Sequence, residues 1–216
     1  MATFSISRRI RWQGTMTDRV IDVCRMFGLT IDRLTERYFD HTCRLEINSG
    51  DIVYITGASG SGKSILFNEL QKCIPGSARI DLAQIDLPSD KTLIDCVEGD
   101  LLKSLRLLSI AGLNDCFCIL NQPNRLSAGQ QYRFRLAMAL AAQKKYVFAD
   151  EFCSDLDRIT ALVIAQRLRE FAKRTHTTFI LASSHKDILL DLAPDVLVIR
   201  DFASPPQIIY KKTRRV

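Results

Sequence analysis

The sequence predicts an α/β fold: a mainly parallel sheet with helices on both faces and a small helical subdomain. Three observations carry this. Short apolar runs bounded by turn residues alternate with longer amphipathic stretches, the order of a parallel sheet covered on both sides. A glycine-rich turn, Gly57-Ala58-Ser59-Gly60-Ser61-Gly62-Lys63-Ser64, lies between one such run and a helical stretch. A second apolar run, Tyr146-Val147-Phe148-Ala149, ends in two carboxylates, Asp150 and Glu151.

Residues 1–42 lack this chemistry and read as an N-terminal extension to a domain over 43–216. Within the extension, Val20, Val23, Cys24 and Phe27 recur at helical spacing and predict a helix over about 17–27. Cys43 to Ile47 alternates as a strand, Asn48 to Asp51 is a turn, and Ile52-Val53-Tyr54-Ile55-Thr56 is a buried strand. A helix follows from Lys63 to about Cys73, where Pro75-Gly76 breaks it. Ala78 to Ala83 is the next strand. Residues 91–120 are rich in helical leucines, and Ser127 to about Gln143 is a strong helix, so the helical subdomain spans about 88–143. Then come the strand 146–149, an amphipathic helix over 157–174, and strands over 177–182 and 196–199. A basic tail closes the chain at 211–216.

Of the 216 residues, 47% are apolar and 25% charged, enough to bury one large α/β domain. No apolar run approaches the roughly 20 residues that span a bilayer, and the first residues carry no apolar signal stretch. A cytoplasmic protein that inserts into no membrane of its own is expected. Seven scattered cysteines and three dispersed histidines argue against a disulfide framework or a zinc site. The net charge of +6 resides at the ends: without Arg8, Arg9, Arg11, Lys211, Lys212, Arg214 and Arg215, the remaining 23 of the 30 basic residues face 24 acidic ones. Basic ends around a neutral body can touch nucleic acid or an acidic partner, or simply solubilise the chain.

The glycine-rich turn matches G-x-x-x-x-G-K-[ST]. Its glycines let the backbone wrap until several N–H groups converge on phosphate oxygens. The helix after it adds its positive end. Lys63 supplies a cation to the β- and γ-phosphates, and the Ser64 hydroxyl ligates Mg²⁺. Carboxylates at the C-terminal end of a parallel strand lie where ligands bind in open α/β sheets. Asp150 is expected to hold Mg²⁺ and Glu151 to polarise the attacking water.

Leu126-Ser127-Ala128-Gly129-Gln130-Gln131-Tyr132-Arg133 resembles the signature motif of ATP-binding-cassette (ABC) ATPases, usually L-S-G-G-Q. Ser127 suits a helix N-cap, and Gly129 exposes backbone N–H groups, an anion site without a lysine. Ala128 departs from the usual glycine. The resemblance implies that Ser127, Ala128, Gly129 and Gln130 contact the γ-phosphate of ATP held by another protomer, with Asp157 of Ser154-Asp155-Leu156-Asp157 at the protomer contact. It further implies that His185 senses the γ-phosphate and that Gln84 couples Mg²⁺ to the helical subdomain. It also implies an aromatic that stacks on adenine, for which Phe27, Tyr38 and Phe39 are candidates. Gly50 to Gly57, Ala111 to Asp115 and Asp150 to Arg158 resemble a narrower group, some of whose members are fused to a predicted acetyltransferase. That kinship implies a separate acyltransferase-like partner.

The function expected is an ATP-dependent dimerising switch or motor in a soluble complex, built on a homodimeric nucleotide sandwich. The ATPase subunit of a membrane transporter is the alternative. The short Lys63–Gln84 segment, the unusual N-terminus and the basic tails weigh against that alternative. A non-hydrolysing nucleotide sensor is disfavoured by the intact Asp150-Glu151 pair.

Overall fold

The computed structural model describes residues 1–36, 38–185, 187–201 and 205–211 (the side chains of 9, 10, 36 and 38–41 excepted). The chain opens with strand β1 (Ala2–Arg11), two helices, α1 (Asp18–Met26) and α2 (Ile31–Glu36), and strand β2 (Tyr38–Ile47). β1 and β2 pair antiparallel along their whole length, from Ala2 opposite Ile47 to Arg11 opposite Tyr38. The boundary expected at residue 43 therefore falls inside a strand. β1 is part of the core: Phe4 and Ile6 point inward between Thr3, Ser5 and Ser7, and Ile6 is buried with Cys43, Leu45 and Ile47.

β3 (Ile52–Gly57) and α3 (Lys63–Lys72) follow, then β4 (Arg79–Asp81) and a short 3-10 turn over Leu82–Gln84. Three helices, α4 (Leu93–Cys96), α5 (Leu101–Ile110) and α6 (Cys116–Ile119), precede the long α7 (Ala128–Ala141). β5 (Tyr146–Ala149), α8 (Arg158–Thr175), β6 (Thr178–Ala182), α9 (Leu189–Leu192), β7 (Val196–Arg200) and β8 (Gln207–Tyr210) complete the chain.

The second sheet has the order β4-β5-β6-β3-β7-β8. Its first five strands are parallel and β8 is antiparallel to β7. β3 is buried at every position, as a central strand covered on both faces must be. Ile52 and Tyr54 join one core with Val147, Phe179 and residues of α5, α7 and α8. Val53 and Ile55 join the other with Phe67 and Leu70 of α3 and with β1 and β2. Phe67 meets Phe148 edge-on at 5.3 Å between ring centres, a contact that fixes α3 against the sheet. Among the described residues, no helix is long and apolar enough to cross a membrane.

Candidate functional site

Four adjacent parallel strands deliver four of the expected elements side by side. Gln84 follows β4, Asp150 and Glu151 follow β5, His185 follows β6, and the glycine-rich turn follows β3. Neighbouring strands are about 4.8 Å apart, so three gaps span roughly 14 Å.

The turn from Gly57 to Ser64 is shaped as a cradle. Gly57, Gly60 and Gly62 have φ of 150°, 75° and 93°, a region open to glycine. A Cβ on Gly57 would lie 2.0 Å from the carbonyl oxygen of Arg200, so the backbones of β3 and β7 approach too closely for any side chain. Lys63 is buried, and its Nζ donates at 3.0 Å to the carbonyls of Gly57 and Ala58. Gly62 opens α3 with no side-chain cap, which leaves first-turn N–H groups without a side-chain acceptor. Ser61 Oγ is buried without a hydrogen-bond partner. A lysine folded onto carbonyls, an orphaned hydroxyl and an uncapped helix start are donors arranged for an anion, so these residues fit a nucleotide phosphate chain. Ala58, Ser59, Gly60 and Ser64 are exposed and reachable.

Asp150 Oδ1 accepts from the N–H of Glu151 at 3.0 Å. Glu151 is exposed with φ 48°, and its Oε2 accepts from Ser154 Oγ at 3.0 Å. Cys153, also left-handed at φ 59°, donates its N–H to the Tyr132 hydroxyl at 3.1 Å, while the N–H of Phe152 reaches the Ala182 carbonyl. Burial pushes the Cys153 thiol up to about 12 and the Tyr132 phenol well above its ordinary value. His185 is exposed; its N–H donates to Ser183 Oγ at 3.2 Å and its carbonyl accepts from Tyr54 Oη at 2.5 Å. Among the described residues, no three His, Cys, Asp or Glu side chains gather to hold a metal. The oxygen-bearing side chains expected to hold Mg²⁺ are Ser64, Asp150 and Gln84, each just after a strand of this row or in the cradle.

Ser127 caps α7 reciprocally with Gln130: its Oγ accepts from Gln130 N at 3.3 Å, and Gln130 Oε1 accepts from Ser127 N at 3.0 Å. The Ala128 substitution fits this helix turn without left-handed geometry. Asp157 caps α8 by accepting from Thr160 N at 3.0 Å, and that hydrogen bonding lowers its pKa below the usual carboxylate value. No hydrogen bond links Ser127–Gln130 to the cradle among the described residues. Instead a Cβ on Gly129 would sit 3.2 Å from Leu156 Cδ2, so α7 abuts the turn before Asp157. Arg135 of α7 donates to the Ile85 carbonyl beside Gln84 at 3.2 Å.

No family model matches the chain. Solved structures do: the dimeric, ADP- and phosphate-bound ATP-binding cassette MJ0796 covers 82% of this chain and 93% of its own, with TM-score 0.63 and 21% identity. The fold is that of an ATP-binding cassette. The ADP form of the transporter cassette MJ1267 also covers 79% of this chain and 84% of its own, with TM-score 0.58 and 18% identity. By sequence, the chain is similar to the methionine import ATP-binding protein MetN of Rhizobium etli, 31% identical over 219 positions, 84% of this chain and 58% of that protein. MetN of Streptococcus pneumoniae is 30% identical over 197 positions, 73% of this chain and 55% of that protein. The chain thus spans little more than half the length of these curated relatives.

Of the aromatics expected against adenine, Phe27 is 82% exposed, and the side chains of Tyr38 and Phe39 lie outside the described residues. Trp12 is a further aromatic in this region. It directly follows β1, lies against Gly14 and shares an apolar groove with Val20, Cys24 and Phe27.

Proposed function

We propose that the chain is an ATP hydrolase working as the nucleotide-binding subunit of a membrane transport system, with two copies closing over ATP. The observation that carries the hydrolase reading is the row of strand ends, which sets the cradle, the acidic pair, His185 and Gln84 in one line. Lys63 and the backbone amides of Gly57–Ser64 hold the phosphates. Ser64 and Asp150, with Gln84, are the assigned partners of Mg²⁺, which when bound supplies charge neutralisation of the phosphates. Glu151 takes the proton of the attacking water, and His185 reports the γ-phosphate from the neighbouring strand. Trp12 is the aromatic assigned to adenine.

Ser127–Gln130 and Asp157 make no hydrogen bond to the cradle of their own chain among the described residues, and the uncapped amides of Ala128 and Gly129 suit an anion presented by a second copy. The dimeric MJ0796 cassettes support that arrangement. The transport reading rests on relatives named as methionine import proteins, and it displaces the soluble complex favoured by the chain's short segments and basic ends. An acyltransferase-like partner and nucleic acid have no counterpart in those names. Four large apolar side chains of the helical part, Leu101, Leu102, Phe117 and Leu120, are exposed and suit a partner.

The test is Glu151→Gln. With MgATP its scattering mass should double while phosphate release stops. Wild-type hydrolysis would remove Glu151 as base; ATP binding without dimerisation would remove the sandwich. The transport reading fails if the native protein fractionates entirely away from membranes.

A further inference from the structure

A cavity of about 430 Å³ opens at the end of the sheet opposite the cradle, between α5 and the last turns of α7 and α8. Three cations surround it: Lys103 and Arg106 of α5 and Arg174 of α8. Its apolar floor is made by Leu107, Leu140 and Phe171, all buried. Arg174 lies 6.0 Å over the Phe171 ring, which holds its guanidinium at the rim. Thr175 and Thr177 add hydroxyls beside the floor. An adjoining cavity of about 200 Å³ shares Arg106, Phe171 and Arg174 and adds Arg167, whose guanidinium is already bonded to the Ser109 carbonyl. Glu170 is the one acid along either cavity.

Three like charges converging on one concavity repel one another, and no ion pair within 4.0 Å neutralises Lys103, Arg106 or Arg174 among the described residues. The positive field is therefore unspent, and the cavity focuses it. A compact multivalent anion answers the charge. The buried leucines and phenylalanine answer an apolar or aromatic body attached to it. The volume lies within the roughly 300–1,000 Å³ of small-molecule sites. Arg174 stands 17 residues along α8 from Asp157, about 25 Å at 1.5 Å per residue. The cavity lies beside Thr177 at the start of β6 and the cradle follows the end of the parallel neighbour β3, so the two are at opposite ends of the sheet and a nucleotide in the cradle does not fill this one.

We infer that this cavity binds a soluble organic phosphate, an effector separate from the nucleotide in the cradle. Its position gives the ligand a role: it joins α5 and α7 to α8, and so would clamp the helical part of the molecule against the helix that Asp157 begins.

The probe is phenyl phosphate, titrated calorimetrically into the full chain carrying Lys63→Ala so that the cradle does not contribute. One saturable site is expected, weakening at least tenfold when Arg106→Gln and Arg174→Gln are added and falling steeply with salt. Both arginines are exposed, and a urea midpoint matching the parent confirms folding. Benzyl alcohol, the neutral analogue, should not bind. No binding of phenyl phosphate, equal binding to the arginine variant, or equal binding of benzyl alcohol overturns the site. Flotation with phosphatidic acid vesicles that depends on the same arginines overturns the soluble assignment. If Lys63→Ala still binds ATP, the cradle assignment fails, yet dependence on Arg106 and Arg174 still decides this one.

Discussion

Lys63 must exchange partners before it can serve. Its ammonium is shielded from solvent and satisfied by two carbonyls of its own loop, so phosphate oxygens replace acceptors that are already good. The gain comes from charge: a hydrogen bond between ionised groups contributes about 1.5–3 kcal/mol net. Lys63→Ala should therefore weaken MgATP at least about tenfold, read by titration with a fluorescent ATP analogue; unchanged affinity would refute the phosphate-cradle assignment. The placement of this residue was legible in the sequence because its motif is local, eight consecutive positions between a strand and a helix. The setting of Trp12 was not legible in the same way. It follows β1, and β1 depends on pairing with residues 27 or more positions away.

At the level of elements, the decisive joint lies between α7 and the turn after β5. That turn holds two non-glycine residues in the left-handed region, Glu151 and Cys153, a conformation uncommon for such side chains. Tyr132 of α7 holds it by accepting from Cys153 N, and Gly129 of α7 rests against Leu156. Movement of α7 should then reach Glu151 directly. Tyr132→Phe leaves a buried N–H unsatisfied, at a cost of about 1–3 kcal/mol. We expect kcat to fall about tenfold with KM for MgATP little changed, because the cradle is untouched, and Tm to drop by about 2–12 °C. A rise in KM at constant kcat would show that Tyr132 does not position Glu151. The sequence order of cradle, signature and acidic pair was readable, as were α7 and α8 to within two residues, because capping residues mark their starts. β8 and the shortness of β4 were not: four half-exposed residues and three edge residues carry little periodicity.

At the scale of the whole molecule, three buried groups set an alkaline limit. Burial pushes Cys43 up to about 11 and Tyr54 and Cys153 up to about 12. Their ordinary values are about 9 to 10, so the unfolded chain releases these protons first. Stability is whole below about pH 9 and is lost as pH climbs toward 12. Urea midpoints should be flat from pH 7 to 9 and fall steadily above; constant midpoints to pH 11.5 would mean that these groups are not sealed in the core. The sheet order carries another consequence. Val53, on the strand that leads into the cradle, pairs with Ile180, 127 positions further along, and then with Val196. At roughly 5–20 residues per second of synthesis, the first of these partners arrives about 6–25 s later. During that interval a central strand destined for complete burial waits unpaired, so the nascent chain needs shelter from its neighbours on the ribosome. The capacity to hold nucleotide is among the last properties it acquires.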